Sequence, residues 1–335
     1  MLVGLYKNQI GKETVLGTEV DATTYLRAKG FWNDETEILF PDEDVGIASG
    51  IGRSYISNYA ATLQYDEMPL TYEQVGYFLN MGIKGVAGVQ DGAGTDYIYT
   101  YALPYNAAVA PYYYTIEAGD EIKEYIFTGA FVEELTIKGE FGGPLMVQPT
   151  IRCIPKGQTT FKTGLSIPAV TEAQFGLTKL YIDTVAAGFA GTAAKTSTFQ
   201  SFELTMSQVQ MIRPVSNGTG RYYVATKMGA GFGEITLKIT LEHDALSVAE
   251  DTARLARTPR AIQIIAAHDT AVATPGTTYT YKSLIMNICG TYSNTMELSE
   301  TDGNVLATHT LKSHYDATLD SRGSIVLVTE AAALA

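Results

Sequence analysis

Apolar and polar residues alternate along one early stretch of the chain and then change period. In its first part, apolar residues fall on every second position: Tyr59, Ala61, Leu63 and Tyr65. This period predicts a half-buried β-strand over 54–66. From Thr71 onward the apolar residues fall on one helical face: Tyr72, Val75, Phe78 and Leu79. The pattern predicts a helix over 71–82, with Thr71 and Gln74 as a capping box.

The same strand-to-helix unit occurs a second time. Alternation recurs at Ile235, Leu237, Ile239 and Leu241. Ser247 and Glu250 then form a second predicted capping box, and Pro259 ends the helical stripe. The two copies are separated by a constant offset, since 235 − 59 and 247 − 71 both equal 176. An ungapped repeat of this kind predicts two related domains in tandem.

The remaining pattern is a series of alternating runs separated by turn residues, and it predicts a mainly β fold. We predict two antiparallel β-sandwich or barrel domains, each flanked by one α-helix. Residues 1–30 lack periodicity and are predicted to be an arm that docks on something else. The first domain is placed at 31–170 and the second at 171–335. Pro149 inside a predicted strand indicates a sheet edge or a bulge.

Composition and charge narrow the function classes. A net charge of −13 argues against tight nucleic-acid binding, which requires clustered lysine and arginine. The two cysteines, Cys153 and Cys289, lie in apolar alternating runs and are predicted to be buried free thiols. No secretion signal is recognised, and no apolar run approaches the ~20 residues of a membrane-spanning helix.

No constellation of residues indicates catalysis, so we expect no enzyme activity, cofactor or metal. The chain has four histidines, of which His309 and His314 would face opposite sides of a strand. His243, Asp244 and Ser247 resemble a triad only in composition, because Ser247 is already explained as a helix cap. The acidic turn 42–44 lacks the ligand spacing of a calcium loop, and the glycine-rich stretch 44–53 lacks the lysine of a phosphate loop.

The order of elements resembles the major tail tube proteins of long-tailed bacteriophages. The stretches that carry this resemblance are Asp44 to Gly46, Pro69 to Glu73, Thr128 to Ile137, Gly143 to Val147, Phe202 to Met206 and Gly323 to Thr329. The resemblance implies two packed antiparallel sheets flanked by a helix, one of which joins its neighbours into a barrel around a lumen. This chain differs from the simplest members in having two tube domains.

The resemblance also implies a function, a location and partners. The chain would be a structural virion protein, assembled in the host bacterial cytoplasm, whose rings stack into the tail tube. Three two-domain chains would form a pseudo-six-fold ring, a trimer being favoured over a hexamer. Further partners would be the tape measure, tail terminator and distal tail proteins. DNA would pass through an acidic lumen during ejection without specific binding.

Two sets of residues are candidates for these roles. Polar positions that alternate with core positions are candidates to face the lumen: Glu134, Thr136, Lys138, Glu203, Thr205 and Ser207. Three loops of small residues, at 88–97, 186–198 and 216–221, are candidates for contacts between rings. They contain Asp91, Gly92, Gly94, Gly188, Gly191, Asn217 and Gly218, and Asn217-Gly218 predicts a tight hairpin turn.

An alternative from another class remains open. A carbohydrate-binding or adhesin-type β-sandwich would require exposed aromatic residues clustered at one site. Tyr112, Tyr113 and Tyr114 could supply such a cluster. A β-rich hydrolase is a third class, but no residue set supports it.

Overall fold

The fold is described by a computed structural model that covers most of the chain. It describes residues 6–334 except 43–52, 107–109, 121, 190, 196–197, 208–209, 212–213, 216–222, 225–226, 229–232, 294–295 and 302. Within these residues the chain forms twenty-four strands and two α-helices, which confirms the prediction of a mainly β fold with antiparallel sheets.

The strands and helices follow one another in a regular order. In the first part of the chain they are β1 Lys7–Lys12, β2 Thr24–Tyr25, β3 Gly30–Asp34, β4 Glu37–Leu39, β5 Tyr55–Asn58, β6 Ala61–Tyr65, β7 Met68–Pro69, α1 Val75–Gly82, β8 Val89–Gln90, β9 Tyr97–Ala102, β10 Tyr114–Gly119, β11 Glu124–Glu140 and β12 Met146–Gln158. In the second part they are β13 Thr178–Thr184, β14 Phe199–Ser207, β15 Gln210–Met211, β16 Pro214–Val215, β17 Tyr223–Val224, β18 Lys227–Met228, β19 Glu234–Glu242, α2 Ala245–Leu255, β20 Arg260–Ala271, β21 Tyr281–Tyr292, β22 Glu297–Thr301, β23 Asn304–Ser313 and β24 Gly323–Thr329.

The same order of strand pairing occurs twice. In the first half the hydrogen-bonded order is β3-β6-β12-β11-β10-β1. In the second half it is β14-β19-β23-β21-β20-β13. Numbered by position in the chain, both runs read 2-3-6-5-4-1, and each half has its helix between the third and fourth strands. The strands of the repeated sequence unit, β6 and β19, therefore occupy equivalent places.

Strand pairing between the two halves occurs in two places. Strand β14 of the second half pairs with β11 of the first, and β24 lies between β21 and β9. A single apolar core includes residues of both halves, among them Leu79, Ile137, Leu237 and Leu327. Helix α1 is buried on every side, and a methyl group at Gly76 would collide with Leu334 and Leu327 from the second half.

Both predicted capping boxes are wrong. Helix α1 begins at Val75, and no side-chain hydrogen bond among the described residues caps it. The Gln74 side chain instead accepts a hydrogen bond from the Arg27 amide and donates one to the Tyr25 carbonyl. Helix α2 begins earlier than predicted, because Asp244 caps the amides of Leu246 and Ser247. A carboxylate three residues upstream thus takes the role assigned to Ser247.

Residues predicted to be an N-terminal arm contain a strand of the main sheet. Strand β1 pairs with β10 on one side and β2 on the other, and Ile10 is fully buried. The described part of this segment therefore docks on its own chain. Pro149 lies where β12 has no neighbour on one side, between its pairings with β6 and β7, which confirms the edge-like position. Cys153 and Cys289 are buried and free, as predicted.

Candidate assembly surface

A polar face extends across five adjacent strands, β12, β11, β14, β19 and β23. Along them, buried apolar side chains alternate with half-buried or exposed polar ones. Leu135, Ile137 and Leu204 are buried on the core side of the sheet. Since successive residues of a strand point to opposite faces, the intervening polar side chains share the other face. We call this second surface the polar face.

The structure brings together all six residues predicted from the polar phases of two separate strands. They form three pairs directly opposite each other: Glu134 with Ser207, Thr136 with Thr205, and Lys138 with Glu203. The hydroxyl oxygens of Thr136 and Thr205 lie 3.5 Å apart. The alternation within each strand predicted which polar side chains share a face. It could not predict that the two sets lie close together, because the pairing of two distant strands does not change the periodicity of either one.

These pairs lie in the seam between the two halves of the chain. We use the word seam for the antiparallel pairing of β11 with β14, which runs without a register shift from Glu134 opposite Ser207 to Glu140 opposite Ser201. One strand from each half contributes, so the sheet of the first half continues into the sheet of the second. The apolar side of the seam is buried, including Leu135 and Met206.

Every basic side chain on the five strands of the polar face is paired with a carboxylate. The pairs are Lys138 with Glu67 at 2.6 Å, Arg152 with Glu133 at 2.8 Å and with Glu35 at 2.5 Å, Lys156 with Glu19 at 3.4 Å, Lys238 with Glu203 at 3.8 Å, and Lys312 with Glu234 at 2.7 Å. The hydrogen bond that Lys138 donates to the Glu67 carboxylate raises the pKa of Lys138. Glu134 and Glu140 make no salt bridge among the described residues. The face is therefore charge-compensated, with a small acidic excess.

A shallow pocket of about 410 Å³ opens on this face beside the seam. Lys138, Glu203 and Lys238 line it, together with Glu67 and Glu140. Both lysines here are already paired with carboxylates, and Glu140 is the one carboxylate of the lining without a salt bridge among the described residues. The pocket therefore offers no unpaired lysine to a phosphate and a single unpaired carboxylate to a metal ion.

The glycine-rich loop 88–97 has a partner inside its own chain. The Asp91 carboxylate accepts hydrogen bonds from the amides of Thr278 and Tyr279, each at 2.7 Å. Burial alone would raise the pKa of Asp91, but these donors outweigh it and the pKa is lowered. Gly92 and Gly94 lie close against residues 276–277. These contacts within one chain hold the loop in place, so its order does not require a contact with a neighbouring ring.

The other predicted inter-ring loops differ in how much of them is described. Gly188 and Gly191 both have positive φ, and Gly191 lies against Gln263 and Tyr181. Asp183 accepts hydrogen bonds from the amides of Thr192 and Ala193, which holds this loop to β13. Asn217 and Gly218 lie outside the described residues. The strands that flank them pair antiparallel, β15 with β18 and β16 with β17. Val215 lies opposite Tyr223, a register that is not the one a two-residue turn at Asn217-Gly218 would give.

The described residues give little support to the carbohydrate-binding and hydrolase alternatives. Tyr114 is fully buried, so the three tyrosines 112–114 do not form a common exposed surface. The Lys12 ammonium lies 3.4 Å from the ring centre of Tyr112. Among the described residues, no group of three or more histidine, cysteine or acidic side chains is arranged to hold a metal ion. His309 is buried, and desolvation lowers its pKa.

Apolar side chains are exposed at two sheet edges. The sequence pattern did not predict this exposure. Leu298 on β22 and Val305 on β23 are 56% and 46% exposed. On the β4–β5 hairpin the exposed apolar residues are Ile38, Leu39, Phe40, Tyr55 and Ile56. Exposure of clustered apolar side chains on a sheet edge is typical of a protein interface.

Comparison with known proteins gives no family assignment. The two described α-helices have eight and eleven residues, and neither is long enough to cross a bilayer. No protein-family model matches the chain, and no curated protein matches it in sequence. The function is therefore argued from the geometry of the polar face, the seam and the open edges.

Proposed function

We propose that this chain is a structural protein that assembles head-to-tail into rings of three copies, and that the rings stack into a tube like that of a phage tail. The chain would belong to a virion tail and act as a conduit for DNA. The observation that carries the proposal is the seam between two halves with the same pairing order. It joins β14, at one end of the second half's order, to the part of β11 that lies beyond its pairing with β10.

The seam supports a ring because it is a head-to-tail contact. The second half presents β14 to the first half's β11, so the two surfaces in contact are different. A contact between unlike surfaces of equivalent units repeats until it closes into a ring or continues as a filament. If the two halves are tandem domains, as the shared strand order suggests, three chains provide six such units.

The polar face supports a passage for DNA rather than a DNA-binding site. Retention of a phosphate backbone requires unpaired lysine or arginine, which release counterions on binding. Each basic side chain on the five strands is already paired with a carboxylate. In a ring whose lumen is lined by this face, the small acidic excess would repel phosphate weakly and let DNA slide.

Negative-stain electron microscopy of the purified chain at high concentration tests the proposal. Rings, or tubes with a regular axial repeat, are expected. A chain that remains monomeric over the whole accessible range of concentration and salt would contradict it. Filter retention of duplex DNA at 50 mM salt is a second test, in which the proposal expects no measurable binding.

A further inference from the structure

Two strand edges of the chain are left without a neighbour. Among the described residues, β22 pairs only with β23, and the continuous edge formed by β3 and β4 pairs only with β6 and β5. These edges are the two ends of one run of paired strands, β3-β6-β12-β11-β14-β19-β23-β22. An unpaired edge offers a row of amide and carbonyl groups to another strand.

The repeated order assigns β22 as the counterpart of the seam part of β11. Thr150 lies opposite Gln64 on β6, and Thr308 lies opposite Thr240 on β19, the residue 176 positions later (240 − 64). Glu134 lies opposite Thr150, and Glu297 lies opposite Thr308. Glu297 is therefore equivalent to Glu134. The next positions agree in side chain as well, with Leu298 matching Leu135 and Ser299 matching Thr136.

The same comparison assigns β3 and β4 as the counterpart of β14. Phe31 lies opposite Gln64, and Ser201 lies opposite the equivalent Thr240. Further along, Glu37 lies opposite Asn58, and Ser207 lies opposite Glu234, which is again 176 positions later (234 − 58). The edge from 31 to 37 therefore corresponds to 201–207, the segment that makes the seam.

We propose that β22 of one copy pairs antiparallel with the β3–β4 edge of a second copy, in the register of the seam. Glu297 would lie opposite Glu37, Ser299 opposite Glu35, and Thr301 opposite Asn33. This pairing rests on the proposed function, since it is the contact by which one chain would be joined to the next. Its partner is a second copy of this chain.

Exposure of apolar residues supports a missing neighbour at this edge. Leu135 is 2% exposed in the seam, whereas the equivalent Leu298 is 56% exposed. Val147 on β12 is 2% exposed, whereas its equivalent on β23, Val305, is 46% exposed. On the core side of its sheet, the second half therefore has apolar side chains that no described neighbouring strand covers. The apolar β4–β5 hairpin lies next to the complementary edge and would approach the same region of the next copy.

The two edges also carry like charges, which predicts how the contact responds to salt. Glu297 would face Glu37, and Glu300 would face Asp34. Like charges directly opposite one another destabilise a strand pair, and the repulsion between exposed groups is screened by salt. The seam has no such acid-acid pair, since Lys138 faces Glu203 there. Association between copies is therefore expected to strengthen as ionic strength rises.

Disulfide formation between two singly substituted chains tests the register. A chain with Ser299→Cys is mixed with a chain with Glu35→Cys at high concentration and salt and is then oxidised. The expected result is a shift of the chain to twice its mass on non-reducing denaturing electrophoresis. The matched control replaces the second chain by one with Asp34→Cys, because Asp34 is adjacent to Glu35 but faces the other side of the strand. The chain's own cysteines are buried, and the unmodified chain serves as the blank.

A second pair keeps the test independent of Glu35, which also contacts Arg152. Leu298→Cys with Thr36→Cys should crosslink as well, since these residues correspond to Leu135 and Met206 of the seam. Rings seen by microscopy without crosslinks in either matched pair, or with equal crosslinks in the control, would overturn this register and leave the proposed function standing. Absence of rings from the unmodified chain would instead overturn the proposed function.

Discussion

At the scale of single residues, a buried ionic cluster surrounds Glu250. Its carboxylate accepts hydrogen bonds from Arg260 at 2.8 Å and from the Tyr292 hydroxyl at 3.1 Å, and Lys195 lies 3.9 Å away. Glu250 is 3% exposed. A buried charge without a partner costs far more than a surface charge, so the cluster ties α2 to β20 and β21.

Removing one member of this cluster should be strongly destabilising. Arg260→Met leaves the Glu250 carboxylate with fewer partners, and we expect a loss of about 3 kcal/mol in the free energy of unfolding, measured by urea denaturation. Arg254→Met is the matched control, because its partner Asp251 is more exposed and that pair should contribute less than about 1 kcal/mol. Equal losses in both variants would contradict the assignment of the cluster.

The buried His309 predicts a dependence of stability on pH. Desolvation lowers the pKa of His309 in the folded chain, although Glu250 and Asp251 act in the opposite direction. The unfolded chain therefore takes up a proton first as pH falls through about 6.5, and stability that is complete above this pH is lost below it. The slope for a single proton is at most about 1.4 kcal/mol per pH unit.

Thermal unfolding at pH 7.5 and 5.5 tests this prediction against His309→Leu. The unmodified chain should lose more stability than the variant between the two pH values, because the variant has no group to protonate at this position. Both ring nitrogens of His309 lack a hydrogen-bond partner among the described residues, so the substitution leaves no donor unpaired. Equal losses would show that His309 does not titrate on unfolding.

At the scale of elements, the start of α2 depends on Asp244 rather than Ser247. The Asp244 carboxylate accepts hydrogen bonds from two amides of the first turn, whereas the buried Ser247 hydroxyl has no partner in the part of the chain that the structure describes. Asp244→Ala should therefore lower the free energy of unfolding by about 1 kcal/mol. Ser247→Ala removes a buried unsatisfied hydroxyl, and no loss is expected from it. The reverse order of the two effects in urea denaturation would restore Ser247 as the cap.

The sequence predicted most strands of the sheet but missed β1, and the reason is physical. The strand carries polar residues on both faces, and Asn8 and Gln9 are both buried. Their side-chain amide nitrogens donate to the carbonyls of Ala28 and Lys162, which holds both side chains inside the fold. Apolar periodicity cannot reveal a strand whose buried positions are polar. The helix starts were missed for a related reason, since Gln74 and Glu250 have distant partners rather than local ones.

At the scale of the whole molecule, the proposed assembly depends on the seam and on the two strand edges that lack a neighbour among the described residues. The sequence shows similar segments at 133–137 and 202–206, and these two pair with each other in the seam. A third related segment, Glu297 to Ser299, was not recognised, although its Glu-Leu-Ser matches Glu-Leu-Thr. Which strands meet depends on long-range pairing, and it can be derived from the sequence only where segments repeat.

A substitution at Leu298 can distinguish an effect on assembly from an effect on folding. Because its side chain is more than half exposed in the single chain, Leu298→Asp should change the free energy of unfolding by no more than about 0.5 kcal/mol. The same change places a charge in the proposed contact and should abolish rings. Val15→Asp is the matched control, since Val15 is 63% exposed and lies in the segment between β1 and β2, outside both edges. Rings that persist in Leu298→Asp would contradict the role of β22 in assembly.

The most direct test of the central claim is the number of copies in the assembled particle. Cryo-electron microscopy of particles formed at high protein concentration and high salt would count the chains in each ring. The account predicts three chains that form six similar lobes around a central channel lined by the polar face. A ring of six chains, a closed dimer, or a chain that stays monomeric under all these conditions would contradict it.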